Sequence, residues 1–319
     1  MFHRLLRDVD PLTGFLDGPR ARDAFVLRAV MEPPWSIRVQ DEAPLSVVVM
    51  AAGTAWIVGD DGAATSLRAG DVAVLRGPDP YTFADDPATA PRVVIHPGQR
   101  CTTVDGEPVH ETMGLGVRTW GDRSGGRDTM LVGTYEQRSQ ISERLLAALP
   151  PVIVLAGEDV DVPLVGLLAD QIGSDEPGQE VVLDRLLDLL LIAVLRAWFA
   201  RPDADPPAWY RAHGDPLVGR ALRLLQDHPD RAWTIATLAA EVGSSRAALA
   251  RRFTELVGQP PMAYLTEWRL ALAADLLLEP GATIGSVASR VGYGSPFALS
   301  AAFKRVRGIS PRDHRTLVS

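Results

Sequence analysis

Residues 234–243 read TIATLAAEVG and residues 283–292 read TIGSVASRVG, one pattern written twice at an offset of 49. Past the glycine the correspondence resumes at an offset of 50. Ser245, Leu249, Phe253, Gly258 and Pro261 match Ser295, Leu299, Phe303, Gly308 and Pro311. The added residue lies in the turn, GSS against GYGS, where an insertion costs least. Each copy reads as a short helix, a glycine turn and a second helix, the plan of a helix-turn-helix. Ala239 and Ala288 are small where two helices would approach closely. Gly243 and Gly292 can take the left-handed conformation that ends the first helix. Ser245 and Ser295 are good N-caps for the second. The i,i+4 pairs Leu249/Phe253 and Leu299/Phe303 would anchor that helix to a core. A solenoid is the competing plan, but two copies are too few for one.

Between the copies, PMAYLTEWRLALAADLLL (261–278) reads as one amphipathic helix, roughly 25 Å long at 1.5 Å per residue. A spacer of that order can place two second helices in successive major grooves, about 34 Å apart. Charge agrees. The chain of 319 residues carries a net −8, yet from Asp215 onward 13 basic residues face 9 acidic ones. The segment before it is therefore strongly acidic and the C-terminal one mildly basic, which marks the latter for a polyanion. Basic residues are arginines apart from Lys304.

The segment from about 217 to 317 resembles the AraC/XylS family of bacterial transcriptional regulators. Both helix-turn-helix copies match, and the second carries VGYGS…FKRVRGISPRDHR. The resemblance implies a seven-helix DNA-binding domain, with recognition helices at about 245–256 and 295–306. It places Arg251 where the family usually has a base-contacting arginine, beside Arg246, Ala247, Ala250 and Arg252. In the second helix Ala301 stands where the family commonly has arginine, beside Phe297, Ala298 and Ser300. Lys304, Arg305 and Arg307 remain nearby and suit phosphate contact, which positions without reading sequence. The first helix is expected to do more of the reading, and Phe297 to make apolar contact with a thymine methyl.

The N-terminal part has another character. SVVVMA, TAWIVG, DVAVLR, RVVIH and TMLVGTY are short, β-branched and turn-bounded, as in a sandwich or barrel. Asp60-Asp61-Gly62 marks a hairpin turn. Residues 99–127 read as a long polar loop. Helical segments follow from about 141: ISERLLAALPP, then VPLVGLLADQIGSDEPG, then QEVVLDRLLDLLLIAVLRAWFA (179–200). The last sweeps Val182, Leu186, Leu189 and Ile192 round its circumference, so it needs cover on most sides, by a core or by a second copy. RPDADPPAWYRAHGDP (201–216) reads as a linker.

LRAGDVAVLRGPDPYTFAD (67–85) gives residues 3–200 a resemblance to the cupin-like sensor domain of one AraC branch. Cupin enzymes hold metal through strand histidines. Here Tyr81 stands where the second cupin motif would have histidine, which disfavours an oxygenase. Trp35, Trp56, Tyr81 and Trp120 are candidates for lining a small-molecule pocket. His96, Cys101 and His110 fall within fifteen residues and are zinc-type ligands, but the spacing matches no familiar finger and a fourth ligand is missing. Cys101, the single cysteine, could sense oxidants if Arg100 stabilised its thiolate.

No Gly-x-Ser-x-Gly elbow or phosphate-cradling loop occurs. The opening MFHRLLRDVDPLTGF lacks the apolar run of a signal peptide, and the 186–200 run carries Asp188 and Arg196. A lone cysteine fits a reducing cytoplasm. The expectation is an α+β chain. Residues 1–200 form a cupin-like β-barrel followed by helices, which senses and dimerises. Residues 201–216 link it to an all-α tandem helix-turn-helix domain at 217–319. Promoter DNA, a small-molecule effector and a second copy of the chain are the expected partners, with RNA polymerase a further candidate. No cofactor, catalytic set or membrane contact is expected. The rivals are a thiol- or metal-responsive regulator using Cys101 and a metal-dependent cupin enzyme with an accessory DNA-binding module.

Overall fold

The computed structural model describes residues 24–109, 111–136, 145–146, 149–160, 162–201, 208–279 and 281–318. Two compact units divide it: one holds residues 24–136 and 149–201, the other residues 145–146 and 208–318.

The first unit is built on two sheets, and its sheet-rich, cupin-like character is as expected. One sheet runs in the order β10 (Gly114–Gly116), β11 (Thr119–Gly121), β1 (Phe25–Met31), β12 (Asp128–Tyr135), β3 (Leu45–Ala52), β6 (Val72–Arg76) and β13 (Val152–Leu155). The other runs β5 (Ala64–Arg68), β4 (Thr54–Gly59), β7 (Tyr81–Ala84), β2 (Ser36–Val39), β8 (Val93–His96) and β9 (Arg100–Thr103). Side chains alternate along each strand. Ala29 and Met31, Val48 and Met50, and Ala73 and Leu75 therefore meet Ile37 and Val39, Ile57 and Phe83 in one core between the sheets. The Asp60-Asp61-Gly62 turn joins β4 to β5 as expected, closed by Gly59 N–H donating to Ala63 O at 2.9 Å.

Trp35 is sealed in that core and donates through Nε1 to Asp128 Oδ2 at 2.9 Å. Asp128 also accepts from Thr54 N–H and from the Arg127 guanidinium. A fully buried carboxylate is tolerable because its lone pairs are filled.

Helices α1 (Val162–Ile172) and α2 (Gln179–Ala200) follow in the same unit. Leu187 of α2 lies so close to Gly133 that an added Cβ there would sit 2.3 Å from its Cδ1. The helix buries Leu183, Leu187, Leu190, Leu191, Val194 and Leu195, and leaves Val182 and Leu189 41% and 49% exposed.

Four expectations need correction, the last of them for α7 below. The 99–127 stretch is not all loop, for it contains β9, β10 and β11. These strands are short and polar, and they are held by backbone pairing, β11 running parallel to β1 at Arg28↔Thr119. The region after 141 is not purely helical: Val152–Leu155, a β-branched run just past the double proline, pairs antiparallel with β6. ISERLLAALPP lies mostly outside the described residues. The 201–216 segment contains a helix, α3 (Ala208–Ala212), whose Ala212 is buried in the core of the helical unit. Residues 202–207, where the linker prolines cluster, lie outside the described residues.

From Pro216 the chain is helical: α4 (Pro216–Asp227), α5 (Ile235–Glu241), α6 (Arg246–Val257), α7 (Pro261–Leu278), α8 (Ile284–Arg290), α9 (Pro296–Arg307) and α10 (Pro311–Val318). The implied seven helices are present among the described residues. One core gathers Leu222, Leu225, Leu238, Leu249 and Phe253; a second gathers Val287, Val291, Leu299 and Phe303. Helix α7 serves both, turning Tyr264, Leu265 and Trp268 to the first and Leu270, Ala274 and Leu277 to the second. It is therefore apolar on most sides, not amphipathic, because its two halves bury different faces.

Candidate nucleic-acid interface

Each repeat assembles from contacts a few residues apart. Thr234 and Thr237 cap α5 reciprocally: Thr237 N–H donates to Thr234 Oγ1 at 3.1 Å, and Thr234 N–H to Thr237 Oγ1 at 2.9 Å. Thr283 and Ser286 do the same for α8 at 3.0 and 3.1 Å. These capping boxes, with hydroxyls in place of the usual Glu or Gln, were legible as T-x-x-T and T-x-x-S and were missed.

Both first helices close on a Schellman turn. Ser244 N–H reaches Ala239 O at 2.9 Å and Tyr293 N–H reaches Ala288 O at 2.8 Å. The glycine between sits at φ +71° in Gly243 and +80° in Gly292. Ser245 then caps α6 through Ala248 N–H, and Ser295 caps α9 through Ala298 N–H. Leu249, Phe253, Leu299 and Phe303 are wholly buried. Phe253 meets Tyr264 edge-on at 5.8 Å, and Phe303 meets His314 at 5.5 Å. Tyr264 and His314 are thus a further equivalent pair, invisible to residue matching because the two ring types differ.

The anchored faces determine what is presented outward. On α6, Arg246, Ala247, Arg251 and Arg252 are exposed and Ala250 is half-buried. The Arg251 side chain is 78% exposed, with a loose 3.8 Å ion pair to Glu255. Arg252 is differently employed: Nε and Nη2 both donate to Asp215 Oδ2 at 3.0 Å. On α9, Phe297 is 86% exposed, in line with Ala298, Ala301, Lys304 and Arg305. Ser300 turns its hydroxyl back onto Pro296 O at 2.8 Å. Lys304, Arg305 and Arg307 occupy the last turn of α9, where cations suit the helix dipole.

Asp215 was missed because its partner lies 37 residues away. Its Oδ1 accepts from Leu217 and Val218 N–H at 3.0 and 2.9 Å, capping α4. Burial pushes this carboxyl pKa up, but the Val218 N–H, the Arg252 guanidinium and the Leu217 N–H outweigh it and hold it below the usual range. A depressed folded-state pKa gives stability that is present above the unfolded pKa and lost as pH falls through the folded one. Asp215→Ala should cost about 1–2 kcal/mol at neutral pH, with little added by the half-exposed Arg252. The gap from wild type in denaturant titrations should narrow on acidification below the carboxylate range; a gap unchanged in acid would assign the loss to packing.

In the sheet unit the aromatic candidates separate. Trp35, Tyr81 and Trp120 all pack on the core between the sheets. Burial raises the Tyr81 phenol pKa, and the Asp41 charge adds to that. Trp120 Nε1 is buried with no hydrogen-bond partner among the described residues. Trp56 alternates with Ala55 and Ile57, which face that core, and so lies on the opposite face of its sheet.

The His96–Cys101 proximity in sequence does not become proximity of side chains. Ile95 pairs with Cys101 and His96 with Arg100, so His96 and Cys101 face opposite sides of the sheet. His96 bonds Gln40 and Thr102, at 3.3 and 3.0 Å. Cys101 packs on the core, and burial raises its thiol pKa. His110 lies outside the described residues. Among the described residues no group of three or more His, Cys, Asp or Glu could hold a metal ion.

A two-sheet sensor-type unit carried with a doubled helix-turn-helix defines a DNA-binding transcription regulator. Residues 10–200 match the cupin family model and residues 238–316 the helix-turn-helix domain model. A protein of Streptomyces lividans, named as an AraC-like transcription regulator, is 34% identical over 96% of this chain and 98% of its own length. Its counterpart from Streptomyces antibioticus is 33% identical over the same shares. The HTH-type transcriptional regulator AlkR of Acinetobacter baylyi is 26% identical over 96% of this chain and 99% of its own. The chain belongs to the AraC-like transcription regulators.

Proposed function

We propose that the chain is a ligand-responsive regulator whose helical unit, beginning near 217, reads promoter DNA chiefly through α6. Arg251 and Arg246 supply base and phosphate contacts there, with Ala247 and Ala250 allowing close approach. Arg252 positions α6 through Asp215 and reaches phosphate with what remains of its donors. Helix α9 docks through Lys304, Arg305, Ser300, Ala301 and Phe297. The observation that carries this is the twice-built arrangement in which Leu249/Phe253 and Leu299/Phe303 are sealed while the arginine-bearing and Phe297-bearing faces stay open. Selection of duplexes from a random pool, followed by a footprint, tests it; protection without sequence enrichment would reduce the unit to a nonspecific binder.

The cupin-like unit, about residues 1–200, is the sensor. Its effector is a small molecule taken in the interior between the sheets, on which Tyr81 and Trp120 both pack, and the orphaned Trp120 Nε1 offers a donor. An effector can shift the protein only by the difference in its affinity for two arrangements. Mass spectrometry of what co-purifies identifies it. The unit works by binding and not by turnover, without a metal; stoichiometric iron or manganese together with turnover would reverse this. Two copies meet through 182–200, where Val182 and Leu189 stand exposed seven residues apart on one face. RNA polymerase is the further partner, and the site of action is the cytoplasm. No helix among the described residues is long and apolar enough to cross a membrane.

Cys101→Ser is expected to leave any oxidant response unchanged in a promoter-reporter assay, since a half-buried thiol with a raised pKa is a poor nucleophile. Abolition of such a response would restore the redox reading.

A further inference from the structure

Two recognition helices measure one continuous site only if their separation and phase are held. Helix α7 is packed into the core of each repeat, and the structure adds a direct tie between the two helix-turn-helix units. Arg269, midway along α7, donates Nε to Pro229 O at 2.7 Å and Nη2 to Arg231 O at 2.8 Å. Both carbonyls belong to the loop between α4 and α5, in the first helix-turn-helix unit. The same guanidinium lies 6.0 Å from the ring centroid of Tyr293, in the turn of the second unit. Beside it, an added Cβ on Gly292 would stand 2.7 Å from Arg269 Nη2, 2.7 Å from Pro229 O and 2.8 Å from Asp230 Cα. The second turn is thus seated directly on the first unit's loop.

That loop is itself firm. Trp233 Nε1 donates to His228 O at 2.9 Å, Arg231 pairs with Glu241 at 2.6 Å, and the Arg231 guanidinium lies 4.2 Å from the Trp233 ring centroid. A built-in comparison exists in the second unit. Arg315 of α10 holds Leu277 O, in the last turn of α7, and Ala282 O, in the loop between α7 and α8. An arginine gripping the loop before each helix-turn-helix is therefore a repeated packing device. At Arg269 the grip also touches the neighbouring helix-turn-helix unit.

The geometry points to Arg269 as a positioning residue that, with the Gly292–Tyr293 turn, locks the two helix-turn-helix units into one ruler for the spacing of two half-sites on DNA. This rests on the reading of the helical unit as a DNA reader. A planar guanidinium spans two carbonyls and a ring together, which neither an ammonium nor an amide does.

The test uses the full chain and the duplex that wild type selects from a random pool, with and without one base pair inserted between the footprinted halves. An insertion that breaks simultaneous engagement removes the avidity of the second contact, so wild type should lose about 100-fold in affinity. Arg269→Gln should lose no more than about tenfold on the same insertion, with Arg269→Lys between the two. Arg315→Gln, which forfeits the equivalent packing contact, should keep the wild-type ratio; this separates positioning from mere stability. Circular dichroism identifies folded variants, and Arg269→Lys serves if Arg269→Gln does not fold. Three results overturn the inference: folded Arg269 variants with the wild-type ratio, an Arg315→Gln ratio reduced as far as theirs, or a wild type indifferent to the insertion. A wild type that selects no sequence at all overturns the DNA reading itself.

Discussion

Gly292→Ala should destabilise the helical unit by about 2–4 kcal/mol, while Gly243→Ala, at the equivalent place in the repeat, should cost only about 1 kcal/mol. Both glycines hold positive φ, +80° and +71°, and an alanine in that region meets its own carbonyl in either turn. The surroundings differ. Nothing lies within 4 Å of a Cβ built on Gly243, whereas one on Gly292 meets the backbone of Pro229 and Asp230 inside 3 Å. A backbone pressed from below cannot swing aside as a flexible side chain does, so overpacking adds to the φ strain. Chemical denaturation of the two variants side by side measures the difference. Equal losses would mean that the second turn lifts freely off the first unit's loop.

Arg251→Ala should reduce affinity for the selected duplex by about 1–3 kcal/mol and relax the preference at one base position. The side chain is open, and the 3.8 Å approach of Glu255 is too long for a firm hydrogen bond, so little holds it back from a guanine edge. Lys304→Ala should behave otherwise, weakening specific and random duplexes alike and lowering the salt slope by about one. Equal loss on specific and random DNA for Arg251→Ala would move that residue into the phosphate-contacting group. Arg252→Ala should act partly through the fold, since it frees Asp215 from two hydrogen bonds.

The legible part of this molecule is the part made of short-range contacts. Caps, Schellman turns and i,i+4 anchors join residues no more than six apart, so Thr234, Gly243, Ser245 and Phe253 carry their geometry in their spacing. The repeat doubled that signal. Strand propensity likewise gave away β3, β4, β6, β8 and β12. It failed for β9 to β11, which are polar and exist because a distant strand offers its backbone. It failed also for Val152–Leu155, taken into a helical region although β6 claims it as a strand. The His96–Cys101 cluster was an artefact of counting along the chain: once the two strands pair, alternation sends the side chains apart.

By itself the sequence determined the class of each unit, the doubled helix-turn-helix, and which faces of α6 and α9 must turn inward. These follow from periodicity and local capping, which need no knowledge of the rest of the chain. Only the tertiary structure decided that Arg252 is shared with Asp215, that α7 is buried on two different sides, and that Arg269 ties the first loop to the second turn. Those contacts join residues about 40 positions apart, where spacing carries no information and only packing brings the partners together.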